Sequence, residues 1–506
     1  MRAQCHHCTA LSFAREHDVP GLRDLLNKYY VAPEGIPLRY GIAFEEALEQ
    51  ELLQNLPGLV SAPESRDQVS TLELMDQGVP VIYQGTLRGG SGSVVFSGRP
   101  DFLLRGDYQF QFGDNGLTAV QVTGDSNKYS AWDAKLSQSP KVDYQNQVAL
   151  YADVLQSLGY LSESQHGLIL GSRKIAEFGA EPLLAQMYPI RDSFIGELNF
   201  LVGNPPKTIE DLGVLVCDAS SYCTICEYPA LCDHSRREAN HLQLVANITK
   251  SAIESLAQVG VTTIRSLAEF EGSTEKLSET QVASLSLQAR LQQHTYDTGE
   301  PIFEVVNRET LELLPQPTQG DLFFDIEGFT FFPEPGGLEY LWGYSEASGD
   351  FHFDWADSRL AEELAFTNFM TSVLHNQKQY PGSKVYHYAN YEQAAIKKLS
   401  KRFGVFEQEV EDLLSNDVFI DLYKVVKSAL IISQESYSIK KLENYYTFDR
   451  TSSVKEAMGS MEYYDQYLNA LKDDPDQAEM LKRQVIAYNQ DDCASTLALY
   501  KWLLSL

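Results

Sequence analysis

In DLFFDIEG, Asp325 and Glu327 stand two residues apart, and a strand puts residues at that spacing on one face. Further along come Glu392 in VYHYANYE, at the end of another expected strand, and Asp421 in FIDLY. Tyr488 and Asp492 follow in IAYNQDDCAST as Y-x-x-x-D, one turn apart on a helix. Carboxylates converging from separate elements are what a two-metal site needs, with two ions roughly 4 Å apart clamping the attacking and leaving oxygens of a phosphodiester. Tyr488 would orient the attacking water. A lone D-x-E strand, or aspartates on a helix, are commonly solvated surface; the ordered set carries the expectation.

A second set lies upstream. Asp101 sits in GRPDFLLR, and Asp133 and Lys135 sit two apart in WDAKL. Strand alternation projects Asp133 and Lys135 together, and a neighbouring strand can bring Asp101 beside them. Two adjacent carboxylates repel unless a cation joins them, and Mg²⁺ suits hard oxygen ligands. Metal-bound water then becomes a nucleophile that a nearby lysine can assist. Glu45, on the preceding helix, could complete the site. Gln147 and Tyr151, at i and i+4, share one helix face. D-x-K alone would read as a surface charge pair; its company makes it a site.

The third set is sulfur. Cys223, Cys226 and Cys232 form C-x-x-C-x₅-C, a spacing that lets thiolates bite one metal centre. The fourth ligand must come from elsewhere: Cys5 and Cys8 are candidates, with Cys217 a third. Zinc is the rival metal, with His6, His7 or His234 as its fourth ligand. Cys493 reads as core.

These residues need elements to position them. Residues 1 to about 60 read as helical, with Phe44, Leu48, Leu52 and Leu53 at helical spacing. Residues 80 to 135 read as strands between Gly-rich turns, and 143 to 158 as helix. Residues 240 to 300 look all-helical, and SLAQVGVTTIRSLAEF fits two short helices about a Gly-Val-Thr turn. LLPQPTQGD, residues 313 to 321, reads as a linker before a new α/β block. The 506 residues suit two or three domains, and no apolar run approaches the roughly 20 residues of a membrane helix. The opening residues lack a secretory h-region, so a cytoplasmic location with reduced cysteines is expected. The net charge of −30, from 70 acidic against 40 basic residues, argues against a protein that coats nucleic acid by bulk charge. An enzyme that binds phosphate through local basic strips, such as AIKKLSKRF or SIKKLEN, remains compatible.

The order G-x-x-x-E, PD, D-x-K, Q-x-x-x-Y over residues 41 to 151 resembles the RecB-like branch of the PD-(D/E)XK nucleases. That resemblance implies Asp101 and Asp133 as metal ligands, Lys135 as assistant to the attacking water, and supporting roles for Glu45, Gln147 and Tyr151. Phe44 stands where a histidine is usual. One cysteine before this core and three after it resemble the family's iron–sulfur subgroup, the CRISPR-associated and AddB-like members, which implies a [4Fe–4S] cluster on Cys5, Cys223, Cys226 and Cys232. The set Asp325, Glu327, Glu392, Asp421, Tyr488 and Asp492 resembles the DEDD exonucleases of the RNase H-like fold, with Glu392 in place of the usual Asp. The whole resembles bacterial RecB-family nucleases joined to such a domain. It implies an α/β protein: a PD-(D/E)XK domain with an iron–sulfur staple at 1–240, a helical connector with a helix-hairpin-helix at 241–312, and a 3′–5′ exonuclease domain at 313–506. The expected function is Mg²⁺- or Mn²⁺-dependent hydrolysis of DNA, at single-stranded ends in repair or recombination. No G-x-x-x-x-G-K-[ST] is present, so a helicase would be a separate partner. Two other readings stand beside it: a catalytically weakened nucleic-acid-binding scaffold, to which Phe44, Glu392 and the charge point, and an RNA exonuclease using only the C-terminal site.

Overall fold

The computed structural model describes all residues except 1–4, 18, 31–34, 92–93, 209–210, 212–216, 335, 447 and 453–456. The chain is mixed α/β and divides into two compact units, Met1–His234 and Ser235–Leu506.

The N-terminal unit is built on a six-stranded mixed sheet. Its spatial order is Val60–Ser61, Val81–Tyr83, Phe102–Arg105, Tyr129–Lys135, His166–Leu170, Ile175–Phe178. Alternation sorts the side chains of these strands into two cores. Phe102, Leu104 and Trp132 pack with Leu48 and Leu52 of the helix Ile36–Asn55. Leu103, Tyr129, Ala131 and Leu168 pack with Val148, Ala149, Ala152 and Leu155 of the helix Val142–Leu158. Asp133 and Lys135 continue the second series, so they face the side that carries Gln147 and Tyr151. Phe44 packs against the first core. The expected helical start holds the helices His6–Glu16, Leu22–Tyr29 and Ile36–Asn55; residues 1–4, 18 and 31–34 of that stretch lie outside the described residues.

The C-terminal unit centres on a five-stranded sheet in the order Phe351–Trp355, Leu338–Glu346, Leu322–Phe329, Val385–His387, Phe419–Asp421. The first three strands are antiparallel neighbours, and the last three run parallel. Leu322, Phe324 and Ile326 face a core made with the helices Arg359–Gln379, Tyr391–Phe403 and Glu407–Ser415. Phe323 faces the opposite core, together with Tyr500 and Leu503 of the 31-residue helix Pro475–Ser505. Asp325 and Glu327 share the parity of Phe323, so the sheet delivers both carboxylates to this long helix.

The helix crosses the sheet closely at Gly343. A Cβ there would collide with Asn489 Oδ1, and Cys493 Sγ lies 3.3 Å from the Gly343 carbonyl, so Cys493 is core as expected. The helices Lys250–Gln258 and Ile264–Ala268 flank a Val259–Thr263 turn, with Thr249 and Thr263 as N-caps. The segment expected as a linker is packed. Leu314 enters the core shared with the long helix, and buried Asp321 accepts from Thr318 and from the Lys384 N–H.

Candidate functional site

Asp325, Glu327 and Asp492 each offer a carboxylate oxygen, and the three oxygens lie within 4.8 Å of one another. Strand alternation supplies the first two. The third comes from the middle of the long helix, held in register by Asn489, whose Nδ2 donates to Asp325 Oδ2 at 2.7 Å and to the Asp325 carbonyl at 3.2 Å. Ser460 Oγ donates to Glu327 Oε2 at 2.7 Å. Arg450 Nη2 lies 2.7 Å from Asp492 Oδ1 and 2.7 Å from Glu443 Oε1. Of the adjacent aspartates in the long helix, Asp492 enters this group. Asp491 accepts instead from the Thr451 and Ser452 N–H groups.

The electrostatics are those of buried carboxylates crowded together. Burial, then Asp492 and Glu327, raise the Asp325 carboxyl well above its ordinary value. Burial and Asp492 push Glu327 up to about 8. Burial also raises Asp492, although Arg450 pulls the other way. A divalent ion would relieve all three, and oxygen-only donors suit Mg²⁺ or Mn²⁺.

The remaining members of the expected C-terminal set divide. Tyr488 Oη lies 3.1 Å from Lys440 Nζ, beside Asp492. Glu392 does not close a strand: the strand ends at His387, and Glu392 sits in the first turn of the helix Tyr391–Phe403. It is buried near Asp325 and Glu327, but its Oε2 lies 3.3 Å from His387 Nδ1, outside the close trio. Asp421 ends its strand and caps the next helix. Its Oδ1 accepts from the N–H groups of Tyr423 and Ala389, both at 3.0 Å. Ala389 adopts φ +76, a conformation costly for a residue with a Cβ, and the Asp421 bond secures that turn.

In the N-terminal unit, Lys135 Nζ lies 2.8 Å from Asp133 Oδ2. The Asp101 N–H donates to Asp133 Oδ1 at 3.3 Å, and Asp101 Oδ2 accepts from the Ala134 N–H at 2.6 Å. Burial, then Asp133 and Glu45, raise Asp101 well above the carboxylate range. Burial opposes the Lys135 charge, but Asp133 and Asp101 outweigh it and leave Lys135 above its ordinary value. Gln147 Nε2 donates to Tyr151 Oη at 2.9 Å, and Tyr151 donates to the Arg99 carbonyl. Glu45 accepts from Gln84 and lines a cavity of about 1020 Å³ with Asp101, Tyr83, Arg99 and Glu49.

None of the seven cysteines forms a disulfide. Cys5 Sγ accepts the Cys8 N–H, Cys223 Sγ the Ser220 N–H and Cys226 Sγ the Tyr228 N–H, each at 3.4 Å. Such bonds favour the thiolate, but burial outweighs them and leaves the Cys5 and Cys226 thiols above their ordinary value. The fourth expected ligand, Cys232, groups elsewhere: its sulfur lies within 4.8 Å of Cys217 Sγ and a His7 ring nitrogen. His7 Nε2 is buried and has no hydrogen-bond partner among the described residues. Cys226 Sγ lies 3.7 Å from Cys8 Sγ, so Cys8 and Cys217 both belong to the sulfur-rich region.

Residues 322–504 match the model of a family described as the RNase_H superfamily. The C-terminal sheet and its carboxylate trio therefore lie in an RNase H-like domain, a class that generally hydrolyses phosphodiester bonds with Mg²⁺ or Mn²⁺. No curated protein and no solved structure matches the chain. Among the described residues no helix is long and apolar enough to cross a membrane.

Sequence reasoning missed Arg450, Asn489 and Ser460, whereas Lys440 lies in the lysine strip SIKKLEN. Asn489 alone had a signal, one position after Tyr488 and three before Asp492 on the same helix. Arg450 comes from a loop segment and Ser460 from the separate helix Ala457–Asp473, where no periodicity points to them.

Proposed function

We propose that the chain is a metal-dependent nuclease whose C-terminal site, Asp325, Glu327 and Asp492 with Tyr488, hydrolyses phosphodiester bonds at the ends of DNA strands. The carrying observation is the meeting of Asp325 and Glu327, two apart on one strand, with Asp492 from more than 160 residues further along the chain, inside an RNase H-like domain. A divalent metal held by these carboxylates would supply Lewis acidity toward the phosphate and an activated water. The chain's own groups do the rest. Asn489 and Ser460 fix the two strand carboxylates, Arg450 favours the charged form of Asp492 against its burial, and Glu392, buried beside the trio, adds negative charge that favours a cation. Single-stranded DNA is the preferred substrate and repair or recombination the setting, with a separate helicase to expose the strand.

The N-terminal unit is proposed as a second, RecB-like nuclease site on Glu45, Asp101, Asp133 and Lys135, with Gln147 and Tyr151 supporting it. The adjacency of Asp101, Asp133 and Lys135 on one side of the sheet supports this reading. The cysteine region is proposed to hold a [4Fe–4S] cluster through Cys5, Cys223, Cys226 and Cys232. The grouping of Cys232 with His7 and Cys217 favours zinc as a second reading.

The test is degradation of labelled single-stranded DNA, duplex DNA and RNA with Mg²⁺, Mn²⁺ or EDTA. It uses wild type, Asp325→Ala, Asp133→Asn and the double variant. Metal-dependent cleavage lost stepwise with the two sites supports two nucleases. A double variant as active as wild type refutes both assignments, and a wild type inert on every substrate supports the scaffold.

A further inference from the structure

The cavity of about 1020 Å³ beside Glu45 and Asp101 carries two arginines on its wall, Arg66 and Arg99. Both residues are exposed, and among the described residues neither guanidinium forms a hydrogen bond or an ion pair. Acids are at hand, because Glu45, Glu46, Glu49 and Asp101 line the same cavity. Several are committed elsewhere. Glu45 accepts from Gln84, and Asp101 from the Ala134 N–H. Asp67, next to Arg66 in the chain, accepts from Ser65 Oγ at 2.6 Å and from the Ser70 N–H at 2.8 Å, which caps the helix Gln68–Asp76.

The backbone that carries Arg99 is fixed, although its side chain is not. A Cβ on Gly98 would lie 2.6 Å from Tyr151 Cε1, so glycine lets the chain pass close to this ring. The Tyr151 hydroxyl donates to the Arg99 carbonyl at 3.2 Å. Pro100 restricts the next backbone angle, and the Asp101 N–H donates to Asp133 Oδ1 at 3.3 Å. One clamped stretch, GRPD, therefore delivers Asp101 to the carboxylate pair and Arg99 to the cavity. A guanidinium is permanently charged, and its planar fork matches two phosphate oxygens. On a chain of net charge −30, an anionic strand needs such local cations beside the reacting acids.

We propose that Arg66 and Arg99 form a clamp for the phosphate backbone of the nucleic-acid strand at the N-terminal site. The clamp rests on the RecB-like reading of that site and deepens it by assigning the groups that grip the substrate. Each guanidinium offers charge and paired donors to non-bridging oxygens, while Asp101 and Asp133 are left for metal. Both arginines lie outside the lysine strips AIKKLSKRF and SIKKLEN, so the N-terminal site has phosphate-binding groups of its own.

The test uses the full chain carrying Asp325→Ala, which silences the C-terminal site. Into it go Arg66→Ala, Arg99→Ala, both together, Arg66→Lys, Arg99→Lys, and Arg88→Ala as an exposed arginine outside the cavity. Single-turnover cleavage of a fluorescein-labelled single-stranded DNA oligonucleotide with Mn²⁺ is followed against enzyme concentration and salt. Its half-saturation reads binding where the N-terminal site cuts. Each alanine should raise half-saturation roughly tenfold, the scale of one charged hydrogen bond, and move it more than the maximal rate. Each should also make log K against log salt shallower by about 0.7, and the pair by about 1.4, the slope of one and two phosphate contacts on a single strand. The lysine variants should restore the slope, and Arg88→Ala should leave it in place. Arg66→Gln and Arg99→Gln carry the same test if an alanine chain does not fold. Neutral variants that keep the parent slope and half-saturation, or an Arg88→Ala loss equal to theirs, overturn the clamp while leaving the nuclease reading standing. A parent chain that cleaves no strand overturns the N-terminal nuclease reading and the clamp with it.

Discussion

Replacing Arg450 by Gln removes the one guanidinium that bridges Glu443 and Asp492. Its side chain is 16% exposed and those of its partners 11% and 12%, so solvent cannot take over its work. Deleting one partner of a buried ion pair costs about 3–5 kcal/mol, because the remaining charge is stranded. Here Asp492 has an escape, since it can take up a proton. Burial already raises its carboxyl, and loss of Arg450 raises it further. A carboxyl raised in the folded state stabilises that state below its unfolded value, near 3.9, and loses this contribution as pH rises through the folded value. The variant extends that loss to higher pH. The penalty should therefore be small near pH 4–5 and reach about 3 kcal/mol by pH 8. At about 2–4 °C per kcal/mol, this is a fall of roughly 6–12 °C in the melting temperature of the C-terminal unit. Mg²⁺ should recover part of the loss, because an ion bound to Asp492 replaces the missing positive charge and stabilises the folded state by mass action. Thermal melts from pH 5 to 8, with EDTA and with Mg²⁺, measure all three effects. A drop that is the same at every pH and indifferent to Mg²⁺ would refute the electrostatic account and leave Arg450 a packing residue.

In a chain carrying Asp325→Ala, Lys135→Ala and Asp133→Asn should each abolish the remaining cleavage of DNA. Only Asp133→Asn should also weaken metal binding in calorimetry; full activity in either variant would remove Asp133 and Lys135 from the chemistry. Anaerobically purified protein should be brown, absorb near ~400 nm and contain about four irons per chain. Elemental analysis that finds one zinc and no iron, abolished by Cys217→Ser, would decide for the His7, Cys217 and Cys232 set. Gly343→Ala should cost about 1–3 kcal/mol in chemical denaturation, since the new methyl meets Asn489 Oδ1, and should slow the C-terminal site more than the N-terminal one. Unchanged stability would mean that the long helix can lift off the sheet without penalty.

What could be read from the sequence depended on whether a residue's neighbours lie along its own element. Asp325 with Glu327, and Tyr488 with Asp492, obey the repeats of strand and helix, so their faces are legible in the sequence. The β-forming residues of VYHYA predict a strand that ends in Glu392. The chain instead turns at Ala389 and starts a helix at Tyr391, a choice sealed by Asp421 from a different strand. The meeting of Cys232 with His7 joins segments more than 200 residues apart. Spacing within C-x-x-C-x₅-C says nothing about such a distant partner. Arg450 was invisible for the same reason: its significance lies in the two carboxylates it spans, and neither is at a characteristic interval from it.

The helix Pro475–Ser505 carries Tyr488, Asn489, Asp491 and Asp492 at its middle and core side chains on both sides of them. Each residue added to an α-helix turns everything beyond it by about 100° and advances it by about 1.5 Å. One codon inserted ahead of Tyr488 would therefore swing the whole functional set away from Asp325 unless the core residues beyond it rotated too, and those are fixed against the sheet. The tolerable changes of length in this part of the chain are confined to the helix ends. Divergence within the domain should accordingly appear as substitutions along this helix and as insertions in the loops around it, with the interval from Tyr488 to Leu503 held constant.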